Sequence, residues 1–581
     1  MPGLFGGDVA IFDDESTGSA VYRRPVHQTT RFETDPCLGV VHHGDRDPGG
    51  HAAVIDDDVA GVVYGAVTNR DVTSPLVGDV LERPAATLRS LDGPFAIACL
   101  DRNSGRIVLA TDRLASRAVY YTTDDAFAFA SELTPLVAAV DDPTVDPQAV
   151  SDLLYMNHIW GEKTLLADVR SIRPGSYLVV EDGDHRLDRY WSYTFADPSG
   201  PDYVNDLANA YESAVDGVAD TTAGQLGVWL SGGLDSRMLA SLLSRGGRRP
   251  RAYTYNRPLD HDLGIFRDNI DIAAAVAEAL DIRHDVIDIT PERLVDRIPE
   301  LVRITDGQVG WQTGVHLSAA FDIDAEVGVL FEGPTPLLCG EHVWASWLGG
   351  DSHPADALYD MHERVDGGLV SRALAAPVEP KDTFIDESRS VPKTGRDERI
   401  LEATHQNYNA AKHFRTNKIA RAVAGTRCTL ANESLLDRIG EVPVSYRTRT
   451  IPFTGGRIPH VPSRLKLELM RQIDPTLSRI PYDGSQLPPT VAHWLHGVGF
   501  VVRNAVERSL SISTLGRWYR DDETMRSFVD GLVLSAAERD LFDADAVLGA
   551  REAHLAGDAD HMSFVASLTT VELFLQEVLD R

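Results

Sequence analysis

The run Leu226-Gly227-Val228-Trp229-Leu230-Ser231-Gly232-Gly233-Leu234-Asp235-Ser236 restricts the fold of this chain more than any other stretch. An apolar run ends in Ser-Gly-Gly; a second run follows, with apolar positions 238, 239, 242 and 243, and closes at Gly246-Gly247. That order reads as strand, tight loop and helix. Such a junction is an anion site: the glycines let the backbone turn and approach a ligand, and the amides and positive dipole end of the helix face a phosphate. Ser231 and Ser236 add hydroxyl donors. Asp235 would stand beside the phosphates, which is electrostatically tolerable only with a cation such as Mg²⁺ between them. The string therefore predicts a bound nucleotide pyrophosphate with its metal. A kinase-type P-loop is excluded, because no lysine follows a glycine anywhere in the chain.

At 581 residues the chain is too long for one ordinary core, so two domains or more are expected. Residues 1–195 are dense in short β-like runs, such as Val62-Val63-Tyr64, Ile107–Ala110 and Ala126–Ala130, and read as a sheet-rich first domain. The turn-forming loop Asp197–Pro201 marks the boundary, and residues 203–581 form the second domain. There a helix near 203–219 precedes the Ser231 loop, Ala252–Tyr255 is the next strand, Asp271–Leu280 a helix and Val286–Ile289 another strand. This βαβαβ order indicates a doubly wound parallel sheet with its ligand crevice at the carboxyl ends of the strands. Residues 375–400 show no hydrophobic period and are expected as a surface excursion, and Thr569–Leu579 as an amphipathic helix.

Charge narrows the partners. The chain carries 87 acidic and 55 basic residues, a formal net charge of −32, and six of the basic residues are lysines. So acidic a surface suits a protein kept soluble in concentrated salt, where self-repulsion is screened, and it argues against nucleic acid and anionic membranes. The four cysteines, at 37, 99, 339 and 428, show no paired spacing and read as buried apolar residues of a reducing compartment. With no long apolar segment and no charged-then-apolar leader, a cytoplasmic location is expected. His42-His43 reads as part of a polar loop rather than a metal site, since adjacent imidazoles lack ligand spacing.

Ser231–Ser236 resembles the pyrophosphate loop of the N-type ATP pyrophosphatases, and its surroundings resemble asparagine synthetases. Leu91–Ala98, Asp112-Arg113, Tyr120-Tyr121, Phe129–Leu133 and Ile172–Leu178 follow that family's amino-terminal domain in order. The resemblance implies a first domain of the amino-terminal-nucleophile type, an αββα sandwich that hydrolyses glutamine, then an ATP pyrophosphatase domain with a carboxy-terminal helical part. The family's nucleophile is a cysteine after the initiator methionine, where this chain has Pro2. Its Asn-Gly-Glu element aligns with Tyr64-Gly65-Ala66, so the oxyanion-hole amide and a carboxylate are both replaced and little glutaminase rate is expected to survive.

Carried over residue by residue, the resemblance makes Leu230, Ser231, Gly232, Gly233, Asp235, Ser236, Glu332 and Gly333 contacts of ATP, with Asp235 also holding Mg²⁺. The family's second metal-binding aspartate is missing: Pro334-Thr335-Pro336 stands where the family has Ser-Asp-Glu, which lowers metal affinity unless Glu332 or Glu341 swings in. Asp271 and His284 fall where the family has an acid and a histidine, and equally read as a first-turn helix acid and a loop histidine. Arg427 is what remains of the family's Glu-x-Arg-x-Pro-Phe-Leu-Asp, and Lys466 matches its late helix lysine, which faces the α-phosphate; a compact ammonium suits that role, and lysine is scarce here. The implied activity is an ATP-dependent carbon–nitrogen ligase: a carboxylate, aspartate by default, attacks the α-phosphate, Lys466 and Arg427 offset the growing charge, and ammonia or another amine captures the acyl-adenylate. Two alternatives stay open, a nucleotide-binding scaffold without turnover and an amide or lactam former acting on another carboxylate. A homodimer is among the oligomeric states left open.

Overall fold

The computed structural model describes residues 1–8, 24, 27–196, 202–256, 269–333, 335–451, 459–508 and 514–580. The boundary loop at 197–201 and Pro334 lie outside the described residues, as do the side chains of Thr335 and Pro336. Two six-stranded sheets draw only on residues between 3 and 189. One contains the Gly3–Gly7, Gln28–Phe32, Cys37–His42, Tyr120–Thr122, Ala128–Ala130 and Arg170–Ser171 strands. The other runs in the order Asp184–Arg189, Ser176–Glu181, Ile107–Thr111, Phe95–Asp101, Val59–Gly65, His51–Ile55, and all its pairings are antiparallel.

Side-chain alternation decides the layers. Along Val59–Gly65, Ala60, Val62 and Tyr64 pack toward Leu4, Leu38 and Val40 of the facing sheet, while Val63 turns to Leu76, Val77 and Val80 of the Ser74–Glu82 helix. The far face of the first sheet, with Phe5, Cys37 and Val41, packs with Ala149, Val150 and Leu153 of the Pro147–Met156 helix. The result is a helix–sheet–sheet–helix sandwich.

The later sheet is parallel throughout, ordered His284–Asp288, Arg251–Asn256, Gln225–Trp229, Val327–Glu332, Gly425–Cys428. The chain winds outward over the first three strands in sequence, then returns to lay Val327–Glu332 on the other side of Gln225–Trp229. The topological switch point therefore lies between those two strands, and their carboxyl ends run into Leu230–Gly233 and Gly333.

Three expectations are corrected. Residues 375–400 are not a surface excursion: the Pro380–Ser390 and Arg396–Ala403 helices bury Phe384, Glu387, Ile400 and Glu402. The absence of an apolar period misled because the buried faces are partly charged, and Arg173 of the sandwich meets Glu387 through two hydrogen bonds of 2.9 and 2.7 Å. The last helix, Met562–Val578, is not amphipathic; Phe564 through Leu575 are all buried, because helices enclose it from several sides. His42 and His43 are buried rather than in a polar loop, His42 stacked on His51 at 3.5 Å between centroids. The four cysteines are free and buried. No helix among the described residues is long and apolar enough to cross a membrane.

Candidate active site

The loop after Gln225–Trp229 is held open by its own side chains. Ser231 N–H donates to Ser236 Oγ at 3.0 Å, Gly233 N–H to Ser231 Oγ at 3.2 Å, and Gly232 N–H to Asn269 Oδ1 at 2.6 Å. These oxygens satisfy amides that a phosphate would otherwise engage. The Leu234–Leu243 helix begins at Gly233 with no side-chain cap, so its first-turn amides and dipole point into the same space. Neither glycine has a positive φ. Gly232 is needed for close packing, since a Cβ there would lie 2.8 Å from Asp483 Cβ and 3.1 Å from Asn269 Oδ1.

Arg237, fully buried one turn into that helix, fastens the loop from behind. Its guanidinium donates to the carbonyls of Gly232 (3.3 Å), Leu477 (3.2 Å), Ile480 (2.9 Å) and Pro481 (2.9 Å). Burial lowers its pKa to about 10, so it remains charged at neutral pH. Thr254 donates to Leu230 O at 2.7 Å and meets His284 Nε2 at 2.7 Å, which makes His284 a support of the strand end. Asp271 is exposed on its helix; Asn269, two residues earlier, is the one that reaches the loop.

Lys466 and Asp235 come together. The Arg464–Ile473 helix packs Leu465, Leu469 and Met470 into the core that holds Leu234 and Met238, which turns Lys466 toward the loop. Its Nζ lies 2.8 Å from Asp235 Oδ1 and is also paired with Glu341. Ser463, the cap of that helix, accepts from Lys466 N–H at 3.2 Å and donates its own N–H to Glu341 Oε1 at 3.0 Å. Lys466 is 8% exposed and Asp235 32%, so the carboxylate is the member a ligand reaches. Burial favours the neutral amine, but Asp235 and Glu341 overcome it and hold the Lys466 ammonium well above its ordinary pKa. Burial likewise pushes Glu341 up, but Lys466 overcomes it and holds that carboxyl low. For Asp235 burial wins over Lys466, with Glu341 adding to it, and the carboxyl sits above its ordinary range. Two carboxylates that converge on one ammonium form an oxygen donor set of the kind that holds a divalent cation together with phosphates. Among the described residues no three histidine, cysteine or acidic side chains gather at metal-binding spacing.

Two predicted residues are engaged elsewhere. Arg427, assigned to the α-phosphate, is fully buried and forms a bidentate pair with Asp47 of the sandwich, at 2.9 and 2.6 Å, and a 2.8 Å bond to Thr221 Oγ1; neither partner belongs to the loop. Glu332 turns to the same interface, where its Oε1 accepts from Arg117 (3.2 Å), Arg421 (3.3 Å) and Thr426 Oγ1 (3.0 Å). Gly333 continues that strand beside Thr429. Sequence reasoning missed Arg237 and Asn269: one is indistinguishable from a surface arginine in a helix pattern, the other is brought in only by the fold.

Residues 72–191 match the glutamine amidotransferase domain family and residues 207–333 match the asparagine synthase family. The chain is 26% identical over 249 residues to the glutamine-hydrolysing asparagine synthetase 1 of Bacillus subtilis, a stretch covering 42% of this chain and 38% of that protein. It is 28% identical over 236 residues to a putative glutamine-hydrolysing asparagine synthetase of Mycobacterium tuberculosis, covering 38% and 35%. It is 23% identical over 286 residues to the amidase chry2 of Gibberella zeae, covering 46% and 41%. The matched stretches thus span under half of each relative. The chain thus carries a match to a glutamine amidotransferase domain ahead of a match to an asparagine synthase domain, an order that supports membership of the asparagine synthetase family.

Proposed function

We propose that the protein is an ATP-dependent ligase that adenylates a carboxylate and passes the acyl group to ammonia or another amine. The observation that carries this reading is the Asp235–Lys466–Glu341 cluster at the mouth of the Ser231–Ser236 loop, on the switch point of a parallel sheet. Phosphates entering the loop replace Ser236, Ser231 and Asn269 as acceptors of its amides, and the uncapped helix start faces them. Asp235 and Glu341 are the residues that would hold Mg²⁺, which would supply positive charge to offset that on the departing pyrophosphate. A carboxylate oxygen then bonds to the α-phosphorus as the bond to the bridging oxygen breaks. Lys466, freed from Asp235, is within reach of the oxygens on which charge grows. In the second half the amine nitrogen attacks the acyl carbon, AMP leaves, and the amine loses a proton.

The nitrogen source we assign is ammonia or another amine rather than glutamine. Tyr64, which aligns with the family's oxyanion-hole amide, is a buried ring 5.4 Å from the Arg117 guanidinium rather than an amide donor. Purified protein should release no glutamate from glutamine, with or without ATP, as followed by a glutamate assay.

Exchange of labelled pyrophosphate into ATP, screened across carboxylic acids, is the decisive test, because exchange demands adenylation. A nucleotide-binding scaffold is the second reading. It draws on the internal satisfaction of the loop amides and on the pairing of Asp235 with Lys466, and it requires nucleotide binding with no exchange for any acid.

A further inference from the structure

Beside this site lies a cavity of about 320 Å³, roughly ten times the volume a water molecule occupies in the liquid, so it holds a small molecule rather than a single ion. His342 lines it and directly follows Glu341, the carboxylate that holds Lys466, so cavity and nucleotide loop share a wall. Tyr408, Asn409 and Lys412 line it from a nine-residue π-helix, Thr404–Lys412, a rare geometry that recurs at functional sites. His413 and Asn417 complete the polar wall.

Its charge is one-sided. The Lys412 ammonium lies 4.4 Å from the Tyr408 ring centroid, Arg364 donates to the Tyr408 hydroxyl at 3.5 Å, and among the described residues no carboxylate lines the cavity. Burial lowers the Lys412 pKa, with Arg364 adding to it and Tyr408 opposing. His342 and His413 are held neutral, at about 3 and about 4, mainly by burial. A half-buried cation with no counter-charge among the described lining residues describes half of a binding site.

We propose that this cavity receives the acceptor and that the acceptor is a dicarboxylate without a free ammonium group: one carboxylate is activated at Lys466, and the other pairs with Lys412. The proposal rests on the ligase reading for the first carboxylate only. A free amino acid such as aspartate would bring an ammonium beside Lys412 and Arg364, with no acidic side chain among the described lining residues to receive it, and like charges at that range repel.

The test is calorimetric titration of the full chain, loaded with Mg²⁺ and a non-hydrolysable ATP analogue, with glutarate, N-acetylaspartate, aspartate and propionate, in the wild type, Lys412→Met and Lys412→Arg. The expected result is that at least one of the two ammonium-free diacids binds ten times more tightly, or better, than aspartate and propionate. Lys412→Met should weaken that diacid by tenfold to a hundredfold, the scale of one charge-assisted contact, and Lys412→Arg should restore part of it. Lys412→Met removes an uncompensated charge, so its melting temperature should not fall, which separates lost binding from lost folding. Tightest binding of aspartate, equal diacid binding by Lys412→Met, or no binding of either diacid overturns the proposal. Pyrophosphate exchange, measured separately with Mg·ATP on the same three proteins, keeps the two readings apart. Diacid binding that depends on Lys412 without exchange sinks the ligase reading alone; exchange with aspartate that ignores Lys412→Met sinks the diacid alone.

Discussion

Lys466 is a buried ammonium, tolerated because Asp235 and Glu341 both meet it. That shared contact sets what mutation should reveal. Lys466→Ala is expected to lower pyrophosphate exchange by about a hundredfold, the scale of removing one electrostatic contact to a transition state, while nucleotide titration shows binding retained. Asp235→Asn should weaken Mg·ATP binding as well as the rate. Because the two side chains touch, the double variant should lose less than the sum of the single losses; strict additivity in exchange assays would show that they act apart. Arg427 should behave otherwise. Arg427→Ala leaves Asp47 buried without its cation and is expected to cost about 3–5 kcal/mol of stability by denaturant titration, whereas exchange per folded molecule stays unchanged.

At the scale of elements, the Pro380–Ser390 and Arg396–Ala403 helices act as a strap across the sandwich. Arg173 holds Glu387 with its pKa at about 2: burial pushes that carboxyl up, and the bidentate guanidinium more than offsets it. Glu402 shows the opposite balance. It is fully buried, accepts from Tyr193 N–H at 3.2 Å and lies 3.8 Å from Arg189; burial prevails over Lys393 and Arg189 and raises its pKa to about 7. A carboxyl whose folded pKa lies above its ordinary 4.5 stabilises the folded state below that value, and the contribution is lost as pH rises through 7. Glu402→Gln should therefore raise stability at pH 8 by up to about 3 kcal/mol and leave it nearly unchanged at pH 4, read from unfolding midpoints at both.

The whole molecule sets a −32 surface against an interior fastened by arginines. Arg117, Arg173 and Arg427 each cross between the sandwich and the later part of the chain to a buried carboxylate or from one. Salt screens exposed charges far more than buried pairs, so the surface repulsion is what potassium chloride relieves. Unfolding temperature should rise from low salt to molar potassium chloride, and the buried pairs should not oppose that rise. A flat or falling midpoint would show that surface repulsion is not what limits stability.

The position of the Ser231–Ser236 loop was legible in the sequence because it is local: Leu226–Leu243 encodes a strand, its turn and a helix start within some twenty residues, and the β runs around Val62 and Ile107 with the βαβαβ order after 225 are likewise short-range patterns. The motif singled out Lys466, and only the fold shows that it meets Asp235 and Glu341. What the tertiary structure alone decided are contacts between residues far apart in the chain: Lys466 to Asp235 over 231 positions, Arg427 to Asp47 over 380, Arg173 to Glu387 over 214. Arg427 and Glu332 each fit a phosphate role by motif, but an arginine or a glutamate takes whichever opposite charge the fold buries beside it, and only the packing of the two parts determined that the partners are Asp47 for one and Arg117 for the other.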